Sequence, residues 1–172
     1  WAGPSGERRV VYWGRRSREK GLLPLAVACQ KVGATLHVIG DGPLRQALSA
    51  AGATSYGRVA HEDLPPLVSG MDAFCLPSET EGSPKSLLEA LAIGLPCAAS
   101  RPAWAALGHG RMGPTFTPGD VDGIAVALEE ALADAGPWPL ASAVGRALVE
   151  SEFDLAVLLR REIAFVKEVL DA

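Results

Sequence analysis

Cysteine is scarce in this chain. Cys29, Cys75 and Cys97 are odd in number, far apart, and each set in an apolar stretch. That pattern excludes a disulfide framework or a zinc cluster and reads as reduced, buried thiols of a cytosolic protein. No apolar run approaches the roughly 20 residues of a membrane span, and no signal-peptide pattern opens the chain. A cytoplasmic location is therefore expected, with no direct membrane span. Excess positive charge is missing too: the formal charge of −4 argues against broad nucleic-acid binding. Histidine is equally sparse. His37 lies in an apolar run and reads as a satisfied core residue. His61 and His109 fall in loops away from any Cys or carboxylate at metal-ligand spacing, so no metal site is expected. The GDGP loop after the second apolar run does not continue into GxGxxG and no GKS or GKT follows it, which weighs against a dinucleotide oxidoreductase domain. No serine nucleophile elbow is visible either.

What is present is ordinary globular material, with 172 residues, 48% hydrophobic and 21% charged. Such a length fits one domain that buries roughly 70% of its unfolded surface. WAGPSGERR is rich in Gly and Pro and then charged, so residues 1–9 read as a linker and 10–172 as a single domain. The first residue is Trp1 rather than Met, so a cut piece of a longer protein is expected.

Apolar and β-branched runs predict strands at VVYW (10–13), TLHVI (35–39), TSY (54–56), AFCL (73–76) and PCAAS (96–100). Helical spacing recurs between them, in LPLAVACQKV with Pro24 in its first turn, LRQALSAAG closed by Gly52, a broken EDLPPLVSG and SLLEALAIG. IAVALEEALADAG (124–136) and DLAVLLRREIAFVKEVL (154–170) are amphipathic. Pro and Gly leave RPAWAALGHGRMGPTFTPGD without an assigned element; Trp104 and Trp138 read as packing or interface residues. Strand and helix alternate with short connections. The expected fold is α/β, a Rossmann-like parallel sheet flanked by helices on both faces.

Ligands of such sheets bind beyond the carboxyl ends of the strands, and the unusual residues fall there. Gly14-Arg15 follows the first strand, Gly40-Asp41-Gly42-Pro43 the second, Gly57-Arg58 the third and Pro77-Ser78 the fourth. GRRSREKG offers Arg15 and Lys20, a planar fork and a mobile point charge suited to phosphate. A solvated charged loop fits this stretch equally well, since Arg16, Arg18 and Glu19 are there too. GDGP taken alone is a turn. Ser83-Pro84 looks like an N-cap with Pro at the first helical position, leaving the N–H groups of Lys85, Ser86 and Leu87 free for an anion. Glu81 precedes that helix and Glu89 lies on its flank, eight positions apart. Carboxylates at both sides of an anion site fit a ligand with phosphate in the middle and hydroxyls at both ends, such as a nucleotide sugar. Two acids that merely stabilise a helix N-terminus are the plainer reading.

In this order, GRRSREKG, VIGDGP, YGRV and FCLPSETEGSPKSLLEALAIGLPCAAS resemble the C-terminal, donor-binding domain of retaining GT-B glycosyltransferases of the group 1 type. The Glu-x7-Glu stretch within PS…EG…LEA is the specific part; PGD (118–120) and the EFD-started last helix follow the family's tail more loosely. The resemblance implies one half of a GT-B fold and transfer of a sugar from a nucleotide diphosphate sugar with retention. It implies no cofactor and no metal, the nucleotide sugar being the donor substrate. It implies that Arg15 and Lys20 hold the diphosphate, that Glu89 binds the ribose and that Glu81 contacts the transferred sugar. Arg15, Lys20 and Glu81 would carry catalysis. Gly82, Ser83, Pro84, Lys85 and Ser86 would present backbone to sugar and phosphate, with Gly14, Gly40, Arg58 and Val59 completing the donor site. Where the family usually has a Gly-Gly-x-Pro-Glu turn, this chain has RPAWAALGHGRMG. The acceptor-binding N-terminal domain is missing from this chain, so the isolated domain is expected to turn over poorly. The whole enzyme could still be peripheral to a membrane.

A non-catalytic nucleotide-sugar binding module working with a partner subunit keeps the same site and stays open. A glycoside hydrolase pairing Glu81 with Glu89 would need both acids to flank a glycosidic bond. A helix-flank Glu89 beside a phosphate site fits that poorly.

Overall fold

Strands buried on both faces lose the usual apolar–polar alternation and become continuous apolar runs. The chain follows this rule, with every residue of Val10–Trp13, Leu36–Ile39, Ala73–Leu76 and Cys97–Ser100 buried. The computed structural model describes residues 5–133 and 138–170, with backbone alone over 138–142. Residues 1–4 of the expected linker, the 134–136 end of the expected helix, the Trp138 side chain and residues 171–172 lie outside the described residues.

The elements run β1 (Arg9–Trp13), α1 (Leu22–Lys31), β2 (Thr35–Ile39), α2 (Arg45–Ala50), β3 (Thr54–Gly57) and α3 (Leu64–Val68). After them come β4 (Ala73–Leu76), α4 (Lys85–Ile93), β5 (Cys97–Ser100), α5 (Arg101–Leu107) and β6 (Thr115–Phe116). The chain continues through α6 (Val121–Ala131), α7 (Trp138–Leu148), a π-helical turn Val149–Phe153 and α8 (Leu155–Leu170). All strand pairs are parallel, in the order β3-β2-β1-β4-β5-β6. The winding reverses between β1 and β4, which pair through Val10 with Ala73 and Val11 with Phe74. Right-handed crossovers then put α1 and α2 on one face and α4 and α5 on the other. Helix α6 returns to pack on α1, and α7 packs on α4, where buried Gly145 lets the backbone close on Leu91. The fold is the expected Rossmann-like one.

The stretch left without an assigned element forms α5 and β6. Ser100 caps α5, its Oγ accepting the Ala103 N–H at 3.4 Å, and Pro102 sits harmlessly in the first turn. Strand β6 is two residues long, too short for any periodicity. Helix α6 starts at Val121, three residues before the apolar pattern, because Asp120 Oδ1 accepts the Gly123 N–H at 3.0 Å. Trp104 packs in the core, its indole N–H donating to the Pro114 carbonyl at 3.2 Å. The three thiols are free and buried. Among the described residues no helix is long and apolar enough to cross a membrane.

Candidate functional site

The reversal point of an open parallel sheet leaves a crevice above the carboxyl ends of the two strands that diverge there. Here those strands are β1 and β4. The loop leaving β1 is stitched to the next strands before it reaches the crevice. Gly14 N–H donates to the Ile39 carbonyl at 3.0 Å, Arg16 N–H to the Asp41 carbonyl at 2.9 Å, and Gly40 N–H to the Gly57 carbonyl. Gly40 adopts φ +117°, and a Cβ there would collide with the Gly14 carbonyl oxygen. GDGP is therefore a turn whose glycines let two loops touch.

Successive side chains of this extended loop point opposite ways. Arg15 is exposed at the crevice, while Arg16 is fully buried. A solvated loop was one of two readings of this stretch, and Arg16 does not fit it: its guanidinium donates to Ser55 Oγ at 2.6 Å and to the Val38 carbonyl at 3.2 Å. Burial lowers its pKa and Asp41 opposes the shift. A 3-10 turn over Arg18–Lys20, closed by Gly21 at φ +63°, then brings Lys20 back over the sheet. Glu79 N–H donates to the Glu19 carbonyl at 2.8 Å, tying the loop after β4 to the loop after β1. Lys20 Nζ and Glu81 Oε1 meet at 2.6 Å, their side chains 17% and 9% exposed. Sixty-one positions separate them in sequence; adjacency of β1 and β4 brings them together.

Helix α4 begins one residue later than the N-cap reading required. Pro84, not Ser83, occupies the capping position, with no side-chain cap. Lys85 N–H is taken by the Ser83 carbonyl at 2.9 Å and Leu87 N–H by the Pro84 carbonyl at 3.0 Å. Of the three N–H groups expected to be free, only that of Ser86 has no backbone acceptor among the described residues. The Ser83–Pro84 step folds back on itself because the tight turn lets Ser83 and Pro84 carbonyls serve the next donors. Leu87 and Leu91 face the core as their spacing predicts. Glu89 is left on the flank, where Oε2 accepts the indole N–H of Trp13 at 2.7 Å. His61, read in sequence as a loop residue outside any metal-ligand spacing, stands beside Glu89 with Nδ1 at 3.9 Å from Oε1. No group of three potential metal ligands occurs among the described residues.

Two adjoining hollows result. The first, about 320 Å³, is bordered by Gly14, Arg15, Lys20, Glu81, Ser83, Lys85, Ser86 and Glu89, with Tyr12 and Trp13 beneath. The second, about 290 Å³, is bordered by Gly14, Gly40, Arg58, Val59 and Glu89, together with Trp13, Ile39, His61 and Leu64. Gly14, Trp13 and Glu89 border both. Gly82 is exposed with open space above it and Pro84 is buried behind the helix start, and neither borders these two hollows. Tyr12, Trp13 and His61 were not among the expected site residues; for Trp13 the available signal was its position at the carboxyl end of β1. The Tyr12 hydroxyl donates to the Arg15 carbonyl at 2.9 Å. Burial, with Glu81 and Glu19 adding to it, pushes its pKa well above the ordinary tyrosine range, which keeps it a neutral donor.

Residues 7–134 match the model of the family described as glycosyl transferases group 1. This chain belongs to that family. The group 1 domain is 35% identical over 95 residues to TuaC, a Bacillus subtilis glycosyltransferase named for teichuronic acid biosynthesis, covering 54% of this chain and 24% of that protein. It is 32% identical over 139 residues to the sulfoquinovosyl transferase SQD2 of Arabidopsis thaliana, covering 73% of this chain and 26% of that one. The chain thus spans about a quarter of these relatives' length. HepE of Anabaena, solved in complex with UDP and glucose, superposes with a TM-score of 0.83 at 18% identity, over 94% of this chain and 48% of that one. That likeness shows the fold, the Rossmann-like domain of GT-B glycosyltransferases. Relative to the family's usual Gly-Gly-x-Pro-Glu turn, this group 1 domain runs from β5 straight into the Ser100-capped α5.

Proposed function

We propose that this chain is the donor-binding domain of a retaining, metal-independent hexosyltransferase that uses a nucleotide diphosphate sugar. The convergence of Arg15 and Lys20 from the β1 loop with Glu81 and Glu89 around one crevice carries the reading. In it Arg15, Lys20 and the Ser86 N–H receive the diphosphate, with Lys85 nearby as further positive charge. These cations and the start of α4 stabilise the charge that builds on the leaving diphosphate, so the proposal calls for no metal ion or other cofactor. The donor sugar lies toward Glu81, which its ion pair with Lys20 holds in place. Glu89 accepts from the ribose. The base enters the second hollow over Gly40, beside Arg58 and Val59, with Trp13, Ile39 and Leu64 as apolar walls. Gly82 and Pro84 shape the turn that presents backbone to sugar and phosphate. HepE's complex with UDP supports a nucleoside diphosphate as ligand. The acceptor sits mainly on a separate N-terminal domain, and this domain alone turns over poorly. In the cell the enzyme is cytoplasmic.

Titration calorimetry with UDP, GDP, ADP and UMP tests the reading. One diphosphate should bind about tenfold or more tightly than its monophosphate, since charge-assisted hydrogen bonds contribute about 1.5–3 kcal/mol each. Arg15→Ala and Glu89→Ala should each weaken that binding by about tenfold. Absence of binding at millimolar concentration, or variants that bind like the parent, would sink it.

A further inference from the structure

Trp13 closes β1 with its ring packed on Phe74, centroids 4.4 Å apart and planes tilted by 52°, and only 5% of the residue is exposed. An indole N–H is a donor with no accepting role, and when buried it needs a partner. Its partner is Glu89 Oε2, at 2.7 Å. That bond occupies one carboxylate oxygen. His61 Nδ1, at 3.9 Å from Oε1, is beyond hydrogen-bond reach, so the second oxygen keeps its accepting capacity. Trp13 and Glu89 both border the two hollows, at the junction where a nucleoside's sugar would join its base to its phosphates.

We propose that Trp13 is a positioning residue that selects ribonucleotides. Holding Oε2 fixes the Glu89 side chain before any ligand arrives, and Oε1 is left to accept from the ribose hydroxyls. A glutamate otherwise free to sample rotamers loses that freedom on binding; here the indole has already removed it. The inference rests on the donor-site reading above, in which Glu89 meets the ribose. It adds that the ribose preference depends on an indole N–H from the sheet, 76 positions away in sequence.

The experiment measures the affinity of whichever of UDP, GDP or ADP binds, and of its 2′,3′-dideoxy analogue, by calorimetry. The parent protein, Trp13→Phe, Glu89→Ala and the double variant are compared. The parent should prefer the ribonucleotide by about tenfold or more. Trp13→Phe, which keeps a ring on Phe74, should cut that ratio several-fold, since any loss of the apolar wall weakens both nucleotides alike and leaves the ratio untouched. The double variant should be no less selective than Glu89→Ala alone. Should Trp13→Phe fail to fold, the benzothienyl analogue of tryptophan at position 13 keeps the ring shape without the N–H and should give the same loss. Equal weakening of both ligands would reduce Trp13 to a packing residue, and an unchanged ratio would mean Glu89 orients itself; either overturns the inference. A parent that binds the diphosphate without ribose preference overturns it and leaves the donor site standing. A parent that binds no nucleotide overturns both.

Discussion

Arg15 and Arg16 are chemically identical neighbours with opposite fates, one at the crevice and one sealed beneath the loop. Arg16 has no carboxylate partner among its hydrogen bonds; it spans Ser55 Oγ and the Val38 carbonyl, and its Nε is unpaired. Its value is mechanical, joining the β1 loop to β2 and β3. Removing it leaves a cavity and two acceptors without donors, whereas a straight apolar chain refills the space and removes a desolvated charge. Arg16→Ala should cost about 2–3 kcal/mol in urea unfolding, and Arg16→Met should recover at least half of that. A Met variant as unstable as the Ala variant would show that the hydrogen bonds, not the filled volume, carry the effect. The Glu81 and Glu89 pair was legible because its spacing is local. The side chains that hold them, Lys20 and Trp13, lie 61 and 76 positions off, and only Lys20 was anticipated at the site.

At the level of elements, the loops rather than the strands decide the shape of the crevice. Gly40 stands at φ +117° with its Cα against the Gly14 carbonyl. A side chain there meets both a backbone strain and a collision, and backbone oxygen cannot turn aside as a side chain can. Gly40→Ala should destabilise by about 2 kcal/mol or more and weaken nucleotide binding beyond that loss, because Gly14 and Arg15 must shift. Thermal melting and calorimetry on the same sample would separate the two; a variant with a parent-like melt and parent-like affinity would contradict this. Four buried strands and α1 were legible from apolar runs and helical spacing. Helix α5 was not, since Pro102 and the following glycines read as loop until Ser100 is seen to cap the helix. The start of α4 was misread because Ser-Pro matches a capping pattern, while the real turn satisfies Lys85 and Leu87 with backbone carbonyls.

Across the whole molecule the three thiols are buried, and Cys75 on β4 feels both Cys29 on α1 and Cys97 on β5. Burial pushes the Cys29 thiol up to about 12 and the other two well above the ordinary 9.0. In the unfolded chain all three ionise near that ordinary value. Because the folded pKa values are raised, the folded state binds more protons above pH 9, and stability that is complete below that pH is lost as pH rises. Between pH 9 and 10 the loss should approach about 1 kcal/mol per thiol. Native protein should resist iodoacetamide at pH 8 and react at three sites in urea. Stability that stays flat to pH 10, or alkylation without unfolding, would refute it. Helix α8 differs from this buried set: it buries none of its residues, and Leu159, Ile163 and Val166 are about half exposed.

Sequence by itself determined the α/β class, the buried strands, the reduced thiols and the local acid pair, because periodicity, burial and loop chemistry are short-range properties. The order of the strands, the meeting of Lys20 with Glu81, the inward turn of Arg16 and the Trp13 bond to Glu89 belong to the tertiary structure. Each joins segments whose proximity follows from sheet order, and sheet order is set by how several crossovers pack together rather than by any one stretch of the chain.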